Sequence, residues 1–80
     1  MPEEVLFKTE QQQTRSEIAE ALVAAAEQIE SGTVQLESDT ETQNVTVPDT
    51  PRFEVELERL TDSETREERY ELEYEVRWTK

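Results

Sequence analysis

Apolar residues recur along this chain with two rhythms, and the changes between them divide it into elements. Ile18, Leu22, Ala25, Ala26 and Ile29 follow one another at three- and four-residue spacing, which places them on one stripe of an α-helix. The quartet Thr14-Arg15-Ser16-Glu17 has the form of a capping box, in which the threonine hydroxyl and the glutamate carboxylate each accept the other residue's backbone N–H. Gly32 supplies the left-handed residue that commonly ends a helix. Ahead of the helix, Val5 to Thr9 alternate weakly and predict a short first strand.

From residue 33 the period becomes two. Val34 and Leu36, the polar stretch Ser38-Asp39-Thr40-Glu41, then Val45 and Val47 read as a hairpin. A two-residue turn at Asp39-Thr40 sets Val34 opposite Val45 and Leu36 opposite Gln43. Pro48-Asp49-Thr50-Pro51 then breaks the ladder, because neither proline can donate a backbone hydrogen bond.

The last third alternates most regularly. Phe53, Val55 and Leu57 interleave with Glu54, Glu56 and Glu58, and Tyr70, Leu72, Tyr74, Val76 and Trp78 with Glu71, Glu73, Glu75 and Arg77. A turn over residues 61–66 sets Leu57 against Tyr70, Val55 against Leu72 and Phe53 against Tyr74 on the apolar face, a set rich in aromatic and β-branched pairs. The same register sets Glu54 against Glu73, Glu56 against Glu71, Glu58 against Arg69 and Arg52 against Glu75 on the other face. The expected fold is α+β: one helix packed on one face of a four- to five-stranded, mainly antiparallel sheet, in the order β-α-β-β-β-β. Whether the first strand lies beside the second or beside the last stays open at this point.

Eighty residues suit a single domain over 1–80, burying only about 60% of the unfolded chain's surface. The 21 acidic residues against 8 basic ones give a formal charge of -13, which repels bare nucleic acid and anionic membranes. Six of the basic residues are arginines, the lysines being Lys8 and Lys80. An acid-rich, lysine-poor surface suits concentrated salt, where screening lengths fall to about 3 Å, and so predicts a salt-rich cytoplasm. No signal-peptide-like or membrane-spanning apolar run is visible, and the absence of cysteine leaves no disulfide. Asn44-Val45-Thr46 matches a glycosylation acceptor by chance in such a setting.

The chain has no histidine or cysteine, so the commonest general base, the thiolate nucleophile and the usual zinc ligands are absent. Its single glycine excludes a Gly-rich phosphate loop. These counts predict a protein that is not an enzyme and carries no cofactor. Two features invite a site. The carboxylates Glu54, Glu56, Glu71 and Glu73 offer oxygen ligands to a hard cation, though a flat strand face splays its side chains and reads more simply as a solvated surface. Tyr70, Tyr74 and Trp78 form an aromatic row whose shared parity with Leu72 and Val76 favours core filling. Trp78, near the end of that row, is its expected exposed member and with Tyr74 a candidate partner contact. The arginines of the last third sit among more acids than arginines and suit ion pairs better than a nucleic-acid footprint.

Leu6-Phe7-Lys8-Thr9-Glu10, Ser16-Glu17-Ile18-Ala19, Ser31-Gly32-Thr33-Val34 and Leu72-Glu73-Tyr74-Glu75-Val76-Arg77-Trp78, in that order and spacing, resemble the small amphi-Trp domain proteins common in haloarchaea. That family is named for an amphipathic C-terminal stretch ending in tryptophan. The resemblance implies a salt-adapted archaeal source and a compact α/β module, and brings no activity with it. The expected role is a protein-interaction module, acting through a free sheet edge or the Trp78 end of the apolar face, with self-association as one form. The alternatives are an acidic decoy that mimics a nucleic-acid backbone and occupies a basic protein, and a surface that binds divalent cations.

Overall fold

The computed structural model describes residues 2–80. Its elements are a helix α1 (Arg15–Ser31) followed by four strands, β1 (Thr33–Glu37), β2 (Thr42–Thr46), β3 (Arg52–Thr61) and β4 (Glu68–Arg77). The architecture is α+β, with the strands paired two by two into separate antiparallel sheets, β1 with β2 and β3 with β4. The chain divides into two compact units, Met1–Asp49 and Thr50–Lys80, and each is described by itself.

In the first unit α1 begins at the foreseen capping box. Glu17 N–H donates to Thr14 Oγ1 at 3.2 Å and Thr14 N–H to Glu17 Oε1 at 3.1 Å. Both orphan donors are thereby satisfied, and the Thr14 bonds hold the Glu17 carboxyl below its ordinary pKa. The helix ends at Gly32, whose φ of 94° is left-handed and whose N–H donates to the carbonyls of Gln28 and Ile29. The same glycine carbonyl accepts from Val47 N–H at 2.9 Å, and Gln28 Oε1 accepts from Gln35 N–H at 2.7 Å. These bonds tie the helix C-terminus to the small hairpin. Val47 is the buried hydrophobic residue of the described chain, at 9% exposure.

The small hairpin has the expected register, with Val34 opposite Val45 and Leu36 opposite Gln43. Its Asp39-Thr40 turn is closed by Ser38 N–H donating to the Glu41 carbonyl at 2.9 Å. Residues 5–9, expected as a strand, form none. A strand exists through its ladder, and among the described residues no strand pairs with that segment.

In the second unit β3 and β4 make a hairpin of two ten-residue strands. Its two faces are composed as the alternation predicts, but its register differs by two residues from the expected one. Leu57 pairs with Leu72, Val55 with Tyr74 and Phe53 with Val76, while Glu54 meets Glu75, Glu56 meets Glu73, Glu58 meets Glu71 and Arg52 meets Arg77. The turn explains the shift. Asp62 Oδ1 accepts from the N–H groups of Glu64 and Thr65 at 2.8 and 3.2 Å, so that carboxyl too is held below its ordinary pKa. Arg66 N–H donates to the Asp62 carbonyl, Asp62 N–H donates to the Glu67 carbonyl, and Arg66 turns the chain back with a left-handed φ of 64°. A loop built this way closes between Asp62 and Glu67, one residue beyond the 61–66 turn the apolar pairing alone suggested, and that step moves the cross-strand partner of each residue by two.

Candidate functional site

The long hairpin presents two chemically opposite surfaces, because strand side chains alternate between faces. One face carries Phe53, Val55 and Leu57 from β3 and Tyr70, Leu72, Tyr74 and Val76 from β4, with Trp78 just beyond. Most of these side chains lie open to solvent, Leu57 at 69% exposure, Phe53 at 65%, Tyr70 at 59% and Tyr74 at 55%, while Trp78 at 38% and Val76 are partly covered. Within this unit the aromatic row has no apolar layer above it, since a two-stranded hairpin has no second layer of its own. Trp78 proves the least exposed member of that row, the reverse of expectation. Phe53 and Tyr74 stack diagonally across the strands, with ring centroids 6.3 Å apart and planes inclined by 14°, the offset arrangement aromatic pairs prefer.

The opposite face is a ladder of carboxylates. Three cross-strand pairs lie side by side, Glu54 with Glu75, Glu56 with Glu73 and Glu58 with Glu71. Arginines relieve the outer two. Arg77 reaches Glu54 with Nη2 at 3.3 Å and Glu75 with Nε at 3.1 Å, and Arg69 Nε lies 3.6 Å from Glu71. Neither Glu56 nor Glu73 has an ion-pair partner among the described residues. Glu56 consequently carries the strain in its pKa, which is raised above the ordinary carboxylate value by the neighbouring charges of Glu58, Glu73 and Glu54.

The carboxylates Glu54, Glu56, Glu71 and Glu73 thus share a face as foreseen, but they fall into three different register pairs rather than a closed grid. Among the described residues no group of three or more acidic side chains is placed to hold a metal ion. An open polar cleft in the first unit, lined by Lys8, Thr9, Gln11, Glu37, Ser38 and Asp39 among others, contains no buried polar side chain. No described helix is long and apolar enough to cross a membrane.

Two residues that the sequence pattern did not single out join the apolar face by parity. Arg59 stands opposite Tyr70, and Glu68 opposite Thr61, at the turn end of the hairpin. The Tyr70 hydroxyl donates to Glu68 Oε2 at 2.7 Å, and Arg59 has no ion-pair partner among the described residues. The signal for them was the period-two alternation itself, followed past the last apolar residue toward the turn.

The Amphi-Trp domain family model matches residues 1–80, the whole chain, and the chain belongs to that family. No curated protein and no solved structure matches it.

Proposed function

As a member of the Amphi-Trp domain family, we propose, this chain is a non-enzymatic, salt-adapted interaction module whose working surface is the apolar face of the β3–β4 hairpin. One observation carries the reading: the large apolar and aromatic side chains Phe53, Val55 and Leu57 of β3 and Tyr70, Leu72 and Tyr74 of β4 stand exposed on one face of a two-stranded ribbon, with Val76 and Trp78 partly covered at its end. Monomeric proteins seldom leave a contiguous apolar patch beyond a few hundred Å² in water. An isolated two-stranded hairpin is also marginally stable at best. A cover for this face would therefore bind and stabilise at once.

The absence of histidine and cysteine supports a non-enzymatic role, and the charge of -13 supports work in concentrated salt, where the carboxylate ladder is screened. The opposite face supports a second reading. Its two rows of glutamates repeat every second residue, about 6.6–6.8 Å apart along each strand, and suit an acidic decoy that occupies a basic protein in place of a nucleic acid. Site-specific photo-cross-linking in the protein's own cell extract separates these readings. A photo-reactive phenylalanine analogue at Leu57 is expected to give a protein adduct, and the same group at Glu56 none. Adducts to basic proteins from Glu56 alone favour the decoy. A chain that cross-links only within itself from Leu57 instead supports a single sheet with α1 laid over its apolar face. No adduct from Leu57 overturns the interaction module.

A further inference from the structure

We infer that the occupant of the apolar face is a second copy of this chain, the two hairpins packed face to face about a two-fold axis along the strands, with Arg59 of each against Glu68 of the partner subunit; this rests on the interaction reading above. Area is the first argument. Large side chains bury about 150–250 Å² each when fully covered, and at the exposures found for this face, such as 69% for Leu57 and 55% for Tyr74, its seven exposed apolar members sum to roughly 800 Å². That is about the area each partner contributes to a stable protein–protein interface.

The second argument is charge. On the apolar face the paired rows contain one cation, Arg59, and one anion, Glu68, so the face is neutral on a chain of charge -13. A strongly basic partner would be drawn to the carboxylate ladder instead. Face-to-face packing of two copies leaves both ladders on the outer surfaces, separated by about the 10 Å between packed sheets plus the reach of the side chains.

The third argument is self-complementarity. A two-fold axis along the strands lays β3 of one copy over β4 of the other, as in aligned sheet packing. Each row of the register then meets itself reversed. Leu57 settles on the partner's Leu72 and Val55 on the partner's Tyr74. Arg59, without an ion-pair partner among the described residues of its own chain, lands over the partner's Tyr70, whose hydroxyl already holds Glu68 by one carboxylate oxygen. The second oxygen is free for the guanidinium. Two such ion pairs form per dimer and fix the parallel orientation against the antiparallel one, which would set Arg59 beside the partner's Trp78 end.

The test is sedimentation equilibrium of the full chain over a concentration series at about 1 M salt, where the screening length is about 3 Å. The wild-type chain is expected to dimerise, and more tightly than in dilute buffer, because screening relieves the repulsion between the two acidic chains. Arg59→Glu and Glu68→Arg should each weaken dimerisation about tenfold or more, since each sets like charges together twice per dimer. The double variant restores both pairs with reversed sign and should recover wild-type affinity to within about threefold. A wild-type chain that stays monomeric overturns the inference, and so does a double variant no tighter than the weaker single one. In the first case Leu57 adducts to another protein in the extract would leave the interaction module standing, so the two failures are distinguishable.

Discussion

The turn that sets the register of the long hairpin contains a left-handed residue that is not glycine, and this allows a test with its own control. Arg66 has φ 64°, a conformation costing a residue with a Cβ about 1–2 kcal/mol. Among the described residues no ion pair of Arg66 offsets that cost. Arg66→Gly removes the steric cost and adds about 0.5–1 kcal/mol of chain entropy lost on folding. The net gain is about 0.5–1 kcal/mol, which for a chain of this size corresponds to an increase of a few degrees in melting temperature, at about 4–8 °C per kcal/mol. Arg66→Ala keeps the Cβ and should leave stability nearly unchanged. The assay is thermal unfolding at about 1 M salt, followed by the fluorescence of Trp78, which adjoins β4. Because alanine and glycine differ here by a single methyl group, the contrast isolates the backbone term. Equal melting temperatures for the two variants, or a less stable glycine variant, would refute the claim that a left-handed Arg66 closes this loop.

The opposite sign is expected at the helix C-terminus. Gly32 has φ 94°, and nothing lies within 4 Å of the point where a Cβ would stand, so Gly32→Ala meets no clash and costs only the left-handed backbone term less the entropy gained, about 1 kcal/mol; loss of helical circular dichroism at lower temperature measures it, and an unchanged melt contradicts it. The carboxyls predict a pH response of two signs. Glu56 is raised above its ordinary 4.5, so its contribution favours folding below that value and is lost as pH rises through the raised one. Glu17 and Asp62 lie below 4.5 and 3.8, so theirs are present above those values and are lost as pH falls through the lowered ones. Glu56→Gln should therefore raise the hairpin's melting temperature at neutral pH in dilute buffer, with the gain fading below pH 4.5 and at about 1 M salt. A gain equal under all three conditions would show that charge repulsion is not its source.

What could be read from sequence depended on how locally each feature is determined. The capping box needs only Thr14 and Glu17 three residues apart, and the bonds between them are those the pattern implies. The β1–β2 register follows from a two-residue turn between short strands, which leaves one pairing that keeps Val34 and Val45 together. In the long hairpin the composition of both faces was legible because it depends on parity alone, and a slip of two residues preserves parity. Register depended instead on the Asp62 side chain capping the loop amides, a contact that apolar pairing does not reveal. The expected first strand fails for a different reason: Val5 to Thr9 carry the alternation, but among the described residues no strand pairs with them, and alternation alone supplies no ladder. Layering lies furthest from local pattern, because which elements stack is decided between segments distant in sequence.

That two-residue slip changes the chemistry of the acidic face more than its composition suggests. In the expected register two glutamate pairs were flanked by two glutamate–arginine pairs, an arrangement that relieves its own repulsion. In the observed one three glutamate pairs are contiguous, with Arg52 set against Arg77 at the end. Relief then comes from neighbours along and across the strands, Arg77 to Glu54 and Glu75 and Arg69 to Glu71, and it does not reach the central Glu56–Glu73 pair. A hairpin with unrelieved like charges at its centre and a bare apolar face opposite is opposed by two terms of different range. Screening by concentrated salt removes the first and covering the face removes the second. The two are coupled, because a second hairpin covers the apolar face more readily when the ladders of both copies are screened. Salt should therefore steepen the association more than it raises the stability of the isolated hairpin, and parallel salt titrations of sedimentation and of Trp78 fluorescence at low protein concentration distinguish that order from its reverse.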